Sequence, residues 1–249
     1  MDTLLSFGAG VQTTALLVLI ATGRWPRPTA IVFADTEGEH EATYRYLRDV
    51  AEPYARGHGL EIHTLGGEWR AQSKRASLYD YAMAHKMLPA GFSRWCTHDY
   101  KITPIKHFRA TLSPVVETWI GISTDEVSRA IPSVDPTEIK RYPLIELGLS
   151  RTDCVATIST SGLPVPPKSG CWFCPFKGQA AWRTLKRTEP ELFMRAIALE
   201  RNASRTKQGK KAHLALFGSL EQIAASEEFP GFDDAIASEG ACVTGSCFV

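Results

Sequence analysis

The chain has 249 residues, of which 44% are hydrophobic and 22% are charged, values that are ordinary for a globular protein. A chain of this length buries a substantial core and suits one large domain, or one domain with an appendage. Its 28 Lys and Arg against 27 Asp and Glu give a formal net charge of +1. This balance excludes an overall basic nucleic-acid-binding protein and leaves room only for a local basic patch.

No targeting or membrane segment is predicted. The first ten residues lack the basic start and the cleavage site of a secretory signal. The apolar run over 13–21 is too short to span a bilayer. We therefore expect a cytoplasmic protein with no membrane partner, in which the six cysteines serve metal or redox chemistry rather than disulfides.

Strands and helices alternate in the first half of the sequence. Apolar runs and helical spacing predict strands over 2–6, 29–34, 60–65 and 115–122, and helices over 10–23 and 40–56. Such an alternation favours an α/β fold with a parallel sheet and crossover helices. Ligands of such sheets bind at the carboxyl edge, so we expect the site in the loops that follow these strands.

The character of the sequence changes after about residue 146. A Ser150 cap begins one helix, a proline-rich loop covers 162–170, and capping-box spacing at Thr188 begins a helix that reaches about Ala203. We predict an α/β domain over 1–185 and a smaller helical C-terminal part with a cysteine-containing tail over 186–249.

A glycine-containing turn joins the first predicted strand to the first predicted helix. It reads Ser6-Phe7-Gly8-Ala9-Gly10-Val11-Gln12-Thr13-Thr14. Small residues let backbone N–H groups approach phosphate oxygens, and the helix N-terminus favours an anion. The GK[ST] ending of a P-loop is missing. The turn predicts either a phosphate site or a tight packing turn.

Acidic residues follow two of the other predicted strands. Asp35 lies just past a strand end, where its carboxylate would hold Mg²⁺ or a ribose hydroxyl, or would cap a turn. Asp125 and Glu126 occupy the same position after the strand over 115–122, and Arg129 follows one turn later. These side chains either contact a nucleotide or pair with one another.

Cysteines form the third group of candidate residues. Cys96 lies between the cations Arg94 and Lys101, which favour thiolate and attract anions. Cys171-x-x-Cys174 lies in a tight turn and suits zinc, an iron–sulfur cluster or a redox dithiol. Cys154 would complete four thiolates, but its helical apolar neighbours indicate a core position.

Several segments in order resemble a known superfamily. Residues 6–17 (SFGAGVQTTALL) resemble the PP-loop of the adenine-nucleotide α-hydrolase superfamily, particularly its phosphoadenosine-phosphosulfate (PAPS) reductase branch. Gln12 stands where the ATP pyrophosphatases have Asp and the reductases commonly have Gln, and Thr97 stands where the reductases have a second cysteine. Five other segments extend the similarity over about residues 3–185. They are 32–36 together with 41–44, then 94–105, 121–129, 142–145 and 171–174.

This resemblance implies a Rossmann-like PP-loop fold that binds an adenine nucleotide, either ATP with Mg²⁺ or an adenylyl sulfate (APS or PAPS). It implies a [4Fe–4S] cluster held by Cys96, Cys171 and Cys174, with Lys101 and Arg94 acting beside it. The nucleotide-binding residues that it implies are Ser6, Gly8, Gly10, Gln12, Thr13, Thr14, Asp35, Asp125, Glu126 and Arg129.

The tail carries two further cysteines. The reductases end in an ECG segment with a nucleophilic cysteine. Glu239 and Cys242 resemble this segment only in part, and Cys247 follows. We expect Cys242 to be a nucleophile or sulfur carrier; the alternatives are an inert tail or a fourth cluster ligand.

Three functions stay open at this point. The first is ATP-dependent activation of an acceptor, which includes a nucleic acid, followed by cluster-assisted transfer of sulfur from a sulfur donor. The second is reduction of an adenylyl sulfate to sulfite with a thiol reductant. The third, of another class, is a zinc-stabilised module that binds a nucleotide or nucleic acid.

Overall fold

The computed structural model describes residues 1–66, 76–90, 93–203, 213–215 and 218–225. Its centre is one five-stranded sheet in which every neighbouring pair of strands is parallel, in the order β3-β2-β1-β4-β5. The strands are β1 (Asp2–Ser6), β2 (Ala30–Ala34), β3 (Ile62–Leu65), β4 (Val116–Ile120) and β5 (Glu138–Arg141). The predicted α/β fold with a parallel sheet is confirmed.

Helices cover both faces of the sheet and continue beyond it. They are α1 (Val11–Ala21), α2 (Glu41–Tyr46), α3 (Glu52–Gly57), α4 (Leu78–Ala84), α5 (Trp95–Thr97), α6 (Thr103–Arg109), α7 (Pro143–Glu146), α8 (Arg151–Thr160), α9 (Gln179–Thr188), α10 (Pro190–Asn202) and α11 (Leu220–Ala225). A π-helical turn over Leu47–Ala51 joins α2 to α3, another over His98–Ile102 joins α5 to α6, and Thr124–Arg129 forms 3₁₀ turns. No described helix has the length and hydropathy needed to cross a membrane.

The sheet core lies mainly against α1 and α8. Leu16, Leu17 and Leu19 of α1 are fully buried. A helix that is apolar on all sides, like this one, is typical of a buried position. Cys154 and Ile158 of α8 belong to the same cluster. The opposite face of the sheet packs against α6 through Ile105. Both faces are therefore covered, as an all-parallel sheet requires.

A second core surrounds the Cys-x-x-Cys turn. Trp172 and Phe173 of this turn are buried with Tyr79 of α4, Trp182 of α9 and Phe193 of α10. The predicted division at 185–186 stays a prediction; that position lies inside α9, and residues on both sides of it share this core.

Candidate functional site

The glycine-containing turn leaves the carboxyl end of β1 and closes onto the first turn of α1. The N–H groups of Gly8 and Gly10 both donate to Thr13 Oγ1 at 3.3 Å, and this hydroxyl donates to the Gly10 carbonyl oxygen at 3.2 Å. Ala9 between them is buried with φ +51°. No acidic residue lies in the first turn of α1, so its N-terminus keeps the positive end of the helix dipole.

β4 ends close to this turn because Gly121 has no side chain. A Cβ at Gly121 would lie 2.7 Å from Thr13 Cγ2 and 3.1 Å from Thr13 N. Since β1 and β4 are neighbours and their crossovers leave in opposite directions, a crevice forms where they separate. The predicted location of the site at the carboxyl edge agrees with this topology.

Gln12, Glu126 and Arg129 meet in this crevice. The Gln12 side-chain amide donates to Glu126 Oε2 at 3.2 Å and accepts from Arg151 Nη1 at 3.2 Å. Arg129 pairs with Glu126 at 2.7 Å. Gln12 thus joins the Glu126 carboxylate to the guanidinium group of Arg151, a neighbour that the sequence analysis did not assign to the site.

The other two predicted carboxylates accept hydrogen bonds from the protein. Asp125 accepts from the backbone N–H of Arg151 and from the Ser123 hydroxyl, so it caps α8. Asp35 Oδ1 accepts from the Tyr44 hydroxyl at 2.6 Å and from the Glu37 N–H at 2.7 Å. Their predicted contacts with Mg²⁺ or ribose stay predictions.

The two hydroxyl residues at the ends of the glycine-containing turn have other surroundings. Ser6 lines a cavity of about 60 Å³ on the α6 side of the sheet, together with Thr118, Ile120 and Arg109. Thr14 is fully buried in α1. Their assignment to nucleotide binding also stays a prediction.

The Asp35 loop and the Cys-x-x-Cys turn form an antiparallel bridge between Glu39 and Cys171. The Trp172 N–H donates to the Gly38 carbonyl oxygen at 2.9 Å, and Cys171 Sγ lies 3.5 Å from Thr36 Oγ1. The loop after β2 therefore holds the first cysteine of the turn at the sheet edge.

Glu39 and Lys101 form a buried ion pair beside this cysteine. Lys101 Nζ lies 3.1 Å from Glu39 Oε1, and the side chains are 18% and 2% exposed. Cys171 Sγ lies 3.9 Å from the same oxygen. Burial lowers the pKa of Lys101, but the charges of Glu39 and Cys171 outweigh it, so this pKa is above its ordinary value.

The three predicted metal-binding cysteines share one electrostatic environment. Burial raises the pKa of Cys96, Cys171 and Cys174. A negative charge on Cys96 further raises the pKa of Cys174, and a negative charge on Cys174 further raises the pKa of Cys171. Within the described ranges, no group of three or more His, Cys, Asp or Glu side chains is arranged to hold a single metal ion. Arg94 precedes Cys96 with φ +44°, and its carbonyl oxygen accepts from the Thr97 N–H.

Three cysteine thiols are a donor set that suits the predicted cluster, which stays a prediction. The cysteines of a cubane bind separate irons and stand farther apart than the ligands of one zinc ion. Lys101 balances part of the thiolate charge, and Trp172 and Phe173 exclude water from one side. Cys96, Cys171 and Cys174 are the residues that would hold the group.

The other cysteines are separate from this site or outside the described residues. Cys154 lies in the core between α1 and α8, where burial and the charge of Asp153 raise its pKa to about 12. Nothing in the described part of the structure supports the alternative in which Cys154 completes a four-thiolate site, since Cys154 lies in the sheet core and Cys96 and Cys171 pack against the second core. Cys242 and Cys247 lie outside the described residues.

Several polar residues of the site were missed by the sequence analysis. Lys177 Nζ lies 2.7 Å from His40 Nε2, and His40 Nδ1 lies 3.2 Å from Glu189 Oε1. Ser169 lies against the glycine turn, since a Cβ at Gly10 would be 2.8 Å from its Oγ. The sequence signal that could have indicated these residues is the pair of lysines that flank the cysteine pair in KSGCWFCPFK.

Comparisons with known proteins bear on the fold. No family model and no curated protein matches the chain. Among solved structures, the PAPS reductase of Candida auris in a phosphate complex is similar with a TM-score of 0.50 and 19% identity; the match covers 69% of this chain and 82% of that one. The chain therefore has a fold similar to that of this PAPS reductase.

Proposed function

We propose that the chain is an adenine-nucleotide enzyme that carries out sulfur chemistry at its cysteines. One observation carries this proposal: Ser169, two residues before Cys171, lies against Gly10 of the glycine turn. A nucleotide whose phosphates sit at the N-terminus of α1 would therefore extend toward the thiols. The solved relative is named a PAPS reductase and is described in complex with phosphate, which supports the same class of ligand.

Adenylyl sulfate is the nucleotide that the geometry favours. Mg²⁺ with ATP needs carboxylate oxygens that are available to the metal. Here Asp35, Asp125 and Glu126 each accept hydrogen bonds or form ion pairs within the protein. Arg151 and Gln12 face the same crevice. Anion binding without a metal therefore agrees best with these contacts.

The reaction that follows is a reductive cleavage of the sulfate. A cysteine thiolate, for which the tail residue Cys242 is the candidate, attacks the sulfur and forms an S–S bond as the S–O bond to the nucleotide phosphate breaks. The electron pair leaves with the nucleotide. A second thiolate then attacks the cysteine sulfur of the thiosulfonate, forms a disulfide and releases sulfite. Two thiols are oxidised for each sulfate reduced.

A cluster at Cys96, Cys171 and Cys174 would add charge and electron-transfer capacity next to the substrate. Lys101 has a defined part in this arrangement, because its ammonium group pairs with Glu39 Oε1, the same oxygen that lies 3.9 Å from Cys171 Sγ. It would hold the negative charge of the bound sulfate close to the cysteines.

ATP-dependent sulfur transfer to an acceptor is the second candidate. It is favoured by Thr97, which stands where the reductases have a second cysteine, since three thiolates leave one iron open to carry sulfur. A nucleic acid is one possible class of acceptor for that reaction.

One pair of incubations separates these candidates. Protein purified without oxygen is incubated with APS or PAPS and reduced thioredoxin, and separately with ATP and Mg²⁺. Sulfite in the first reaction supports the reductase, whereas pyrophosphate in the second supports the transferase. Absence of both products, with one zinc and no iron per chain, would overturn both in favour of the zinc-stabilised binding module.

A further inference from the structure

A cavity of about 60 Å³ lies between the sheet and α6, on the face of the sheet that is opposite to α1. Three strands line it, through Ser6 of β1, Thr118 of β4 and Lys140 of β5. A space of this size holds about two to four non-hydrogen atoms, since a cavity of about 150 Å³ holds one benzene ring. Gln12 and Arg151 of the nucleotide crevice lie on the α1 side, so the cavity is a separate space.

Thr118 has a buried hydroxyl that the described residues do not satisfy. The residue is 2% exposed, and Thr118 Oγ1 has no hydrogen-bond partner in the described ranges. A buried polar atom without a partner is costly, and native structures seldom keep one unless a ligand or water completes it. Because Thr118 lines the cavity, a group bound in this space is placed to complete the hydroxyl.

The register of the sheet places an ammonium group next to this hydroxyl. Thr118 of β4 is paired with Lys140 of β5. Side chains at paired positions of neighbouring strands lie on the same face of a sheet, about 5 Å apart at their bases. Both side chains line the cavity, so one anionic group between them accepts hydrogen bonds from both.

The other charged residues around the cavity neutralise one another. Arg109 is buried and pairs with both Glu138 and Asp135. Lys106 pairs with Asp135 as well, so this network holds two positive and two negative charges. Glu138 lines the cavity, but Arg109 already compensates its carboxylate. The net positive charge of the lining therefore comes from Lys140.

We propose that this cavity is a binding site for a small monocarboxylate of the size of acetate. One end of the ligand accepts hydrogen bonds from Thr118 Oγ1 and Lys140 Nζ. Its methyl group lies against three apolar side chains that complete the lining, those of Ile102, Ile105 and Ile120. A water molecule would satisfy the hydroxyl but would leave the ammonium group and the apolar surface unused. The site does not depend on the proposed function.

Acetate, used as the probe on the full-length protein, tests the site by NMR of isotope-labelled isoleucine methyl groups. A ligand this small binds with a dissociation constant of about 0.1–10 mM. Acetate should shift the methyl signals of Ile102, Ile105 and Ile120 with saturation in that range. The signal of Ile158, which lies in the core between α1 and α8, should not move. Acetamide, which has the same shape and no charge, should bind at least tenfold more weakly.

Two variants remove the polar groups of the site. Thr118→Val and Lys140→Met should each weaken acetate binding about tenfold or more, the loss typical of a hydrogen bond to a charged group. Lys86→Met is the matched control, because it removes an exposed lysine that does not line the cavity, and it should leave acetate binding unchanged. Since Thr118 Oγ1 lacks a partner among the described residues, Thr118→Val should unfold at the same urea concentration as the wild type, or at a higher one.

Four results would overturn the site. The first is the absence of isoleucine shifts up to about 100 mM acetate, which would mean that the cavity holds only water. The second is equal acetate affinity in the wild type and both variants. The third is sulfate bound as tightly as acetate, since the isoleucines would then contribute nothing. The fourth is an equal loss of AMP and acetate binding in the variants, because the cavity would then belong to the nucleotide crevice; we expect AMP affinity to change less than twofold.

Discussion

The Glu39–Lys101 ion pair gives the sharpest test of how the cysteine site is held together. Glu39→Gln removes the charge from a carboxylate that is 2% exposed and lies 3.1 Å from the ammonium group of Lys101. The pKa of Lys101 is above its ordinary value because the charges of Glu39 and Cys171 outweigh the effect of burial. Its contribution to stability is therefore fully present below the ordinary lysine pKa of about 10.4, and is lost only as the pH rises through the raised value.

The cost of Glu39→Gln follows from the burial of the pair. Removing one partner of a buried ion pair destabilises a protein by about 3–5 kcal/mol, because the other charge stays buried without compensation. Lys101 is 18% exposed, so the lower end applies, about 3 kcal/mol. In a chain of this size that corresponds to a fall in melting temperature of roughly 6–12 °C. Glu39→Gln combined with Lys101→Met should recover at least half of the loss, since both charges are then gone.

Urea unfolding at pH 7, followed by tryptophan fluorescence, measures these differences. Glu52→Gln is the matched control, because it removes the same charge from a pair with Arg56, whose side chain is 62% exposed. Its effect should be below about 1 kcal/mol. Two results would refute the reasoning: a Glu39→Gln variant as stable as Glu52→Gln, or a double variant less stable than the single one.

Three further predictions concern the same region. Gly121→Ala should weaken nucleotide binding at least tenfold, measured by titration with AMP, because its Cβ would press on the Thr13 backbone at 3.1 Å; unchanged affinity would contradict the close approach of β4 to α1. Cys96→Ser, Cys171→Ser and Cys174→Ser should each lower the iron and sulfide content of protein purified without oxygen, whereas Cys154→Ala should not, since Cys154 lies in the α1–α8 core. The stability of the wild type should fall as the pH drops below 6.5, because burial and the charge of Lys177 lower the pKa of His40, so that the unfolded chain takes up the proton first. His40→Gln should flatten the stability curve below pH 6.5, and an unchanged slope would refute this cause.

The sheet was predictable because its central strands carry buried apolar residues, most completely in β2. β2 is buried at every position, so its sequence AIVFA identifies it without reference to the rest of the chain. β5 was not predicted, because this edge strand reads EIKR and none of its residues is buried. Its charges serve long-range pairs instead: Glu138 with Arg109, and Arg141 with Glu117. A strand stabilised by such pairs has no local hydrophobic pattern to reveal it.

Prediction of the site was limited in the same way. Gln12, Glu126 and Arg129 were assigned from their position after strands, and the structure brings them together. Glu39 was missed because the two residues that it contacts are distant in sequence. Lys101 is 62 residues away and Cys171 is 132 residues away. A glutamate in a polar loop looks solvent-exposed in a sequence; its burial depends on the bridge to the Cys-x-x-Cys turn, which is a tertiary contact.

The balance of charge at the crevice explains why the choice of nucleotide needed a structure. In the sequence, Asp35, Asp125 and Glu126 follow strands, where a carboxylate either contacts Mg²⁺ or a nucleotide or is engaged within the protein. In the fold, a tyrosine hydroxyl, a helix N-terminus and an arginine engage these carboxylates. These internal contacts are the reason why an adenylyl sulfate, and not ATP with Mg²⁺, is the nucleotide in the proposed function.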